Sequence, residues 1–224
     1  MLNDVIHTII DKSRKAGWVL EPDAKRLMAE VGIPVPKFEW CHELEDALAA
    51  AERIGYPLVA KIVSTAVMHK TDVDGVVVGI RGPEELENQF QRLSRLQAFD
   101  GVLLDEMVTG YELIVGCKND FQFGPVVLLG IGGTSVEIYQ DTAVRMAPLK
   151  DSDPDAMVAS LRGRRLLRGY RGRTPISIPH LTRVMLKVSE LMVALQDRIE
   201  SLDLNPVFCS DQHCIVADAR IILK

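Results

Sequence analysis

Over residues 37–96 short β-branched runs alternate with stretches of helical period, and from Gly101 strand follows strand, a change of rhythm that leaves few architectures open to 224 residues. Strands are expected at 37–41, 58–63 and 75–81, with helices at 44–54, closed by Gly55, and at 83–96, opened by Pro83 and two glutamates. Residues 64–74 read as a polar loop. Further strands are expected at 102–107, 111–117, 125–129 and 142–148, then helices at 154–161 and 179–198 and a terminal pair of strands. Ahead of all these, Leu2, Val5, Ile6, Ile9 and Ile10 stand at helical spacing before Gly17, and a second helix should run from Glu21-Pro22 to Gly32. The pattern predicts an α/β chain of α+β character: an N-terminal helix within 1–19, a smaller α/β lobe over 20–100 and a sheet-rich lobe over 101–224.

Composition narrows the class. Hydrophobic residues at 47% and charged residues at 25% belong to an ordinary globular domain. The net charge of −5 offers no global attraction to nucleic acid or to an acidic membrane surface. No run reaches the ~18 apolar residues of a membrane span, and Asn3, Asp4 and His7 do not suit a signal peptide, so a cytoplasmic protein is expected. Cys41, Cys117, Cys209 and Cys214 form no C-x-x-C pair, which argues against zinc. Cys209 and Cys214 flank a turn and can approach across a hairpin, but reduced, buried thiols are the expectation for such a compartment.

Residues 199–209 and 214–222 flank Ser210, Asp211, Gln212 and His213, a turn-forming run, so the two segments should pair antiparallel. A turn centred between Asp211 and Gln212 sets Asn205 opposite Asp218 and Asp203 opposite Arg220. Leu202, Leu204 and Phe208 then meet Ile221, Ala219 and Ile215 on an apolar face, while the other face carries Asp203, Asn205, Asp218 and Arg220. Opposed side chains have Cβ atoms ~5 Å apart, close enough for an amide oxygen and a carboxylate to share one hard cation such as Mg²⁺. A solvated hairpin face is the plain alternative. Pro206 removes a ladder donor and so argues for an edge, a bulge or a rim.

Lys61 interrupts an apolar run, Leu58-Val59-Ala60-Lys61-Ile62-Val63, where a buried ammonium requires an anion. A phosphate is one candidate; a strand-edge lysine reaching solvent is the other reading. Gly130, Gly132 and Gly133 follow an apolar strand and either present N–H groups to phosphate or simply reverse the chain, since they form neither a Walker loop nor a G-x-G-x-x-G fingerprint. Residues 103–108 end a strand at a lobe boundary, where a backbone edge can meet adenine and Glu112 a ribose, or both acids can face water.

Taken in order, VAKIVSTAVMHKTDVDGVVVGI (59–80), DEMVTGYELIVG (105–116), FGPVVLLGIGGTSVE (123–137), RLLRGYRG (165–172), ESLDLNPV (200–207) and VADARI (216–221) resemble the ATP-grasp domain of the ADP-forming acyl-CoA synthetases, relatives of the succinyl-CoA synthetase β subunits. The likeness runs through nearly the whole chain. It implies a single ATP-grasp domain over 1–224 with the nucleotide in the cleft between two α/β lobes, and ATP or ADP with Mg²⁺ as the bound species. By the same resemblance Lys61 meets the phosphates, Glu106, Met107 and Val108 the adenine, and Glu112 the ribose. Asn205 and Asp218 match magnesium ligands, Asp203 an acidic position near a phosphohistidine, and His69 a phosphoryl relay on a moving loop. Asp74-Gly75 stands where many relatives carry Gly-Gly.

The reaction so implied converts acyl-CoA, ADP and phosphate reversibly into acid, CoA and ATP. It is an acid–thiol ligation that needs a CoA-binding partner subunit or fused domain, through which the carboxylic acid and CoA enter. A nucleotide-binding regulatory module and a self-sufficient ATP-grasp carboxylate–amine ligase are the alternatives. Arg162, Arg164, Arg165, Arg168, Arg171 and Arg173 suit either an anionic partner or solvent. The apolar spacing over 181–195 is that of a core helix.

Overall fold

The computed structural model describes residues 3–133 and 141–224; the apolar position Leu2 and the 134–137 part of the glycine stretch lie outside the described residues. In chain order the elements are α1 (Asp4–Ser13), β1 (Trp18–Val19), α2 (Glu21–Glu30), β2 (Phe38–Cys41), α3 (Leu44–Ile54), β3 (Leu58–Ser64), β4 (Val76–Ile80), α4 (Pro83–Leu93) and β5 (Phe99–Glu106). They continue with β6 (Tyr111–Asp120), β7 (Gly124–Ile131), β8 (Thr142–Met146), α5 (Asp153–Ser160), α6 (Arg164–Leu167), α7 (Ile178–Ala194), β9 (Ile199–Cys209), β10 (Cys214–Val216) and β11 (Ala219–Leu223). Local chemistry accounts for several boundaries. Asn3 caps α1 by accepting from the Ile6 N–H at 3.1 Å, and Pro83 opens α4 with Glu84 and Glu85 in its first turn.

The chain divides into two compact units. The smaller comprises Leu20–Pro22 and Pro36–Val108; the larger comprises Asp23–Val35, Thr109–Lys224 and the N-terminal stretch to Val19. This division differs from the expected boundary near residue 100. β5 was expected to open the sheet-rich lobe, but it pairs antiparallel with both β2 and β3 in the smaller unit's sheet, ordered β2-β5-β3-β4. Ala47, Ala50 and Ala51 of α3 and Leu86, Phe90 and Leu93 of α4 pack on Leu58, Ala60, Ile62, Val102 and Leu104 of that sheet. Small alanines on α3 let the helix lie close to the strands.

In the larger unit the strand order is β1-β11-β9-β6-β7-β8, with β10 also pairing β9. The two-residue β1 was not foreseen; it pairs Val19 with Ile221. Ile6, Ile9 and Ile10 of α1 and Leu181, Val184, Met185 and Val188 of α7 are buried against this sheet, as the core-helix reading expects.

The terminal register is the expected one: Arg220 stands opposite Asp203, Ala219 opposite Leu204 and Ile215 opposite Phe208. Three details need correction. The segment 214–222 is broken at Ala217-Asp218 into β10 and β11. The apolar alternation does not run through either, for Leu202 and Leu204 are buried, then Val207 and Cys209, leaving Phe208 and Ile215 half-buried. The cause lies in the pairing with β6, where Leu204 meets Val115 and Val207 meets Leu113, so β9 carries one extra residue and a bulge at Asn205-Pro206 reverses the faces. Finally, Cys209 and Cys214 are joined as a disulfide rather than reduced, because the register sets them directly opposite with Cα atoms 4.2 Å apart.

Candidate functional site

In the smaller unit Lys61 lies in the middle of β3 and is only 6% exposed. The solvent-reaching alternative is thereby ruled out. Its Nζ lies 2.6 Å from Oε1 of Glu21 and 3.0 Å from Oδ2 of Asp105, so the required anions are two carboxylates of the chain itself. Strand pairing explains Asp105: Lys61 stands opposite Leu103, and Asp105 is the diagonal neighbour two residues along on the same face. Glu21 comes from the first turn of α2, where a carboxylate also meets the positive end of the helix dipole. The other Glu21 oxygen, Oε2, receives Lys70 Nζ at 2.7 Å, so one buried carboxylate joins two lysines.

Lys70 opens the 3₁₀ turn Lys70–Val73 in the loop after β3, and His69, exposed, stands at its N-cap. The loop is anchored at both ends. Ser64 Oγ accepts from the N–H groups of Ala66 and Val67 at 3.1 and 3.2 Å, and the Gly75 carbonyl accepts from Ile62 N–H at 2.8 Å. Asp74 adopts the left-handed conformation (φ 52°) that short polar side chains tolerate. Gly75 is required for space: a Cβ there would lie 2.6 Å from the Ile62 side chain and 2.8 Å from the Lys70 carbonyl. At the far end of β5, Glu106 exchanges main-chain and side-chain bonds with Lys37. Its N–H donates to the Lys37 carbonyl at 2.8 Å, and its Oε2 accepts from the Lys37 N–H at 3.2 Å. Met107 is 37% exposed and Val108 half-buried.

In the larger unit Glu112 is exposed on β6, and its carbonyl accepts from the Gly132 N–H. A Cβ on Gly132 would stand 2.8–2.9 Å from Glu112 atoms, so the close approach of the two strands requires glycine here. The polar face of β9 and β11 holds exposed Asn205 beside half-buried Asp203, Asp218 and Arg220, and the Asn205 N–H donates to the Asp218 carbonyl at 3.2 Å. Arg220 Nη2 donates to Asp203 Oδ2 at 3.2 Å. Burial pushes the Asp203 carboxyl above its ordinary value; Arg220 works against that rise and the neighbouring Asp218 charge adds to it.

Among the described residues, no group of three or more His, Cys, Asp and Glu side chains converges as a metal site. Mg²⁺ asks for less, since one or two carboxylates complete its shell with phosphate oxygens and water. Asn205, Asp203 and Asp218 offer hard oxygen donors on this hairpin, with Asn205 exposed and both carboxylates half-buried, so the residues fit that ion. The arginine run is largely exposed. Arg168 lies 3.5 Å from Asp155, Arg164 donates to the Leu161 carbonyl at 3.1 Å, and Arg171 stacks 5.4 Å from the Tyr170 ring centre.

Sequence reasoning missed Glu21, Lys70 and Asp105. For Asp105 the signal was present, because a buried lysine on one strand invites an acid at the diagonal position of its neighbour. For Glu21, 40 residues from Lys61 along the chain, no local signal exists.

Residues 11–223 match the family described as ATP-grasp domain. The β subunit of the ADP-forming acetate–CoA ligase I of Pyrococcus furiosus is 38% identical over 224 residues, covering 96% of both chains. An ADP-forming 4-hydroxybutyrate–CoA ligase of Nitrosopumilus maritimus is 35% identical over 94% of this chain, which spans 31% of that longer protein. Among solved structures, an acetyl-coenzyme A synthetase of Ca. Korarchaeum cryptofilum superposes with a TM-score of 0.87 and 34% identity over 98% of this chain and all of that one. That structure holds coenzyme A and Mg-AMPPCP, with its phosphohistidine segment pointing towards the nucleotide-binding site.

Proposed function

The chain belongs to the ATP-grasp domain family, and we propose that it is the nucleotide-handling subunit of an ADP-forming acid–thiol ligase. The observation that carries the reading is the terminal register: the Asn205 N–H donates to the Asp218 carbonyl at 3.2 Å, which sets an amide residue opposite a carboxylate residue, with Asp203 opposite Arg220 next to them. Asn205 and Asp218 would hold Mg²⁺, which when bound supplies positive charge to the phosphate oxygens. Lys61 orients the phosphates as a cation already fixed by Glu21 and Asp105. Met107 and Val108 supply the adenine edge, with Glu106 secured on Lys37, and Glu112 meets the ribose.

His69 takes the phosphoryl group. A bond forms between an unprotonated imidazole nitrogen and phosphorus as the bond from that phosphorus to the bridging oxygen breaks, and ADP leaves; the reverse transfer makes ATP. Asp203 orients the imidazole that carries the phosphoryl group. The acid and CoA are handled by a CoA-binding partner, either a separate subunit, as the name of the Pyrococcus relative implies, or further sequence fused in one chain, as the length of the Nitrosopumilus relative allows.

The test is phosphoryl transfer from [γ-³²P]ATP and Mg²⁺, with and without the CoA-binding subunit. Acid-labile, base-stable label on the chain that disappears in His69→Ala is the expected result. Nucleotide binding without label in either setting would point instead to a regulatory module. ADP release driven by a carboxylic acid and an amine, with no partner, would make the chain a self-sufficient ligase.

A further inference from the structure

Loop 65–74 is mostly exposed, with bonds at its two ends around Ser64 and Gly75 that join it to the sheet. Between those ends Lys70 stands out, a charged side chain only 15% exposed, turned inward onto Glu21 Oε2 at 2.7 Å. The opposite oxygen of the same carboxylate holds Lys61 at 2.6 Å. Both lysines are thus fixed by one rigid group whose side chain is 6% exposed, and water competes little for the contacts. Lys61 has a second anchor in Asp105 at 3.0 Å, so Glu21 is not needed merely to keep the ammonium in place. What Glu21 adds is a fixed relation between Lys61 on β3 and the turn that begins beside His69.

We infer that Glu21 is a positioning residue for the transfer step, a shared carboxylate that holds the His69 loop in register with Lys61 through Lys70. The inference rests on the proposed role of His69 for its functional meaning, while the tether itself stands on the geometry alone. A buried ion pair is costly to break from one side, because it leaves the remaining charge without compensation. Replacing the carboxylate by an amide leaves one acceptor for two ammonium groups and turns an N–H₂ toward one of them. The loop then loses the ion pair that ties Lys70 to Glu21, and His69 samples a wider range of positions.

The experiment is hydrogen exchange of residues 66–74 in the full chain, run beside phosphoryl transfer from Mg·[γ-³²P]ATP to His69. Glu21→Gln and Lys70→Met are each expected to speed exchange in the loop by ~10-fold or more, as loss of one partner of a buried ion pair implies, while amides of β3 and β5 keep their protection. Lys70→Arg keeps the ion pair and should restore slow exchange. In Lys70→Met, kcat for labelling should fall by ~10-fold with little change in KM for Mg·ATP, because Lys61 and its two carboxylates are untouched. Wild-type exchange rates in the loop of Lys70→Met would overturn the tether, and this variant answers the question even if Glu21→Gln does not fold. Absence of label in the unaltered chain, with the exchange results as expected, would instead overturn the relay role of His69 and leave the tether standing.

Discussion

At the scale of single residues, burial decides chemistry. Desolvation pushes the Cys41 thiol up to about 11, with Glu39 and Asp46 adding to it, and the Cys117 thiol up to about 12. Thiolate is the reactive form, so at pH 8 the folded chain should leave both unmodified by an alkylating reagent, and both should react once denaturant opens the core. Mass spectrometry before and after unfolding checks this, and rapid native labelling of Cys117 would contradict it. Gly132 tests the close-contact reading of the glycine stretch. Gly132→Ala puts a methyl within 3 Å of the Glu112 main chain and should cost ~1–3 kcal/mol by denaturant melting, whereas an unchanged midpoint would count against the close contact. The sequence announced that Lys61 needed an anion. It did not say which, because Glu21 reaches it only through the tertiary fold.

At the scale of elements, turns and register carry the argument. The β6–β7 turn is held by Asp120, whose Oδ1 accepts from the N–H groups of Gln122 and Phe123 at 2.8 and 3.0 Å, and these bonds lower its carboxyl below the ordinary value. A depressed folded value means that the contribution is full above the unfolded value of about 3.9 and fades as pH falls through the lowered one. Protection of the Gln122 and Phe123 amides, taken relative to the intrinsic exchange rate at each pH, should therefore fall only below about pH 4, and Asp120→Ala should lower it at every pH. The terminal hairpin shows how far period-two reasoning reaches. Its register followed from turn residues and alternation, and Asn205 does meet Asp218. The facing of Phe208 did not follow, because one extra residue against β6 reverses the pattern, and that count depends on a strand far away in sequence. Pro206 hinted at such an irregularity without locating it.

For the whole molecule, the two units have separate apolar clusters, one around Ile62 and Leu104 and one around Val115, Leu202 and Leu204. Leu104→Ala should destabilise the smaller unit by ~2–5 kcal/mol, seen as faster exchange in β2 to β5. If the chain holds Mg·ATP as proposed, ligand at ~100 times Kd should add about 2.7 kcal/mol to its stability. Asn205→Ala with Asp218→Ala should remove the magnesium-dependent part of that gain, and a thermal shift that persists undiminished would count against those two ligands.

Much of this protein was set by local chemistry that a sequence displays. Glycine and proline punctuated the helices, apolar periods marked their buried faces, and a turn between two alternating strands brought an amide opposite an acid. Other features arose only when distant segments met: the place of β5 in the smaller unit's sheet, the bulge at Asn205, and the carboxylate of Glu21 shared by two lysines. Hydrogen-bond periodicity and turn preference act over a few residues and so can be read in order along the chain. Pairing between strands and the neutralisation of a buried charge depend on which segments lie side by side, and that is a property of the folded whole.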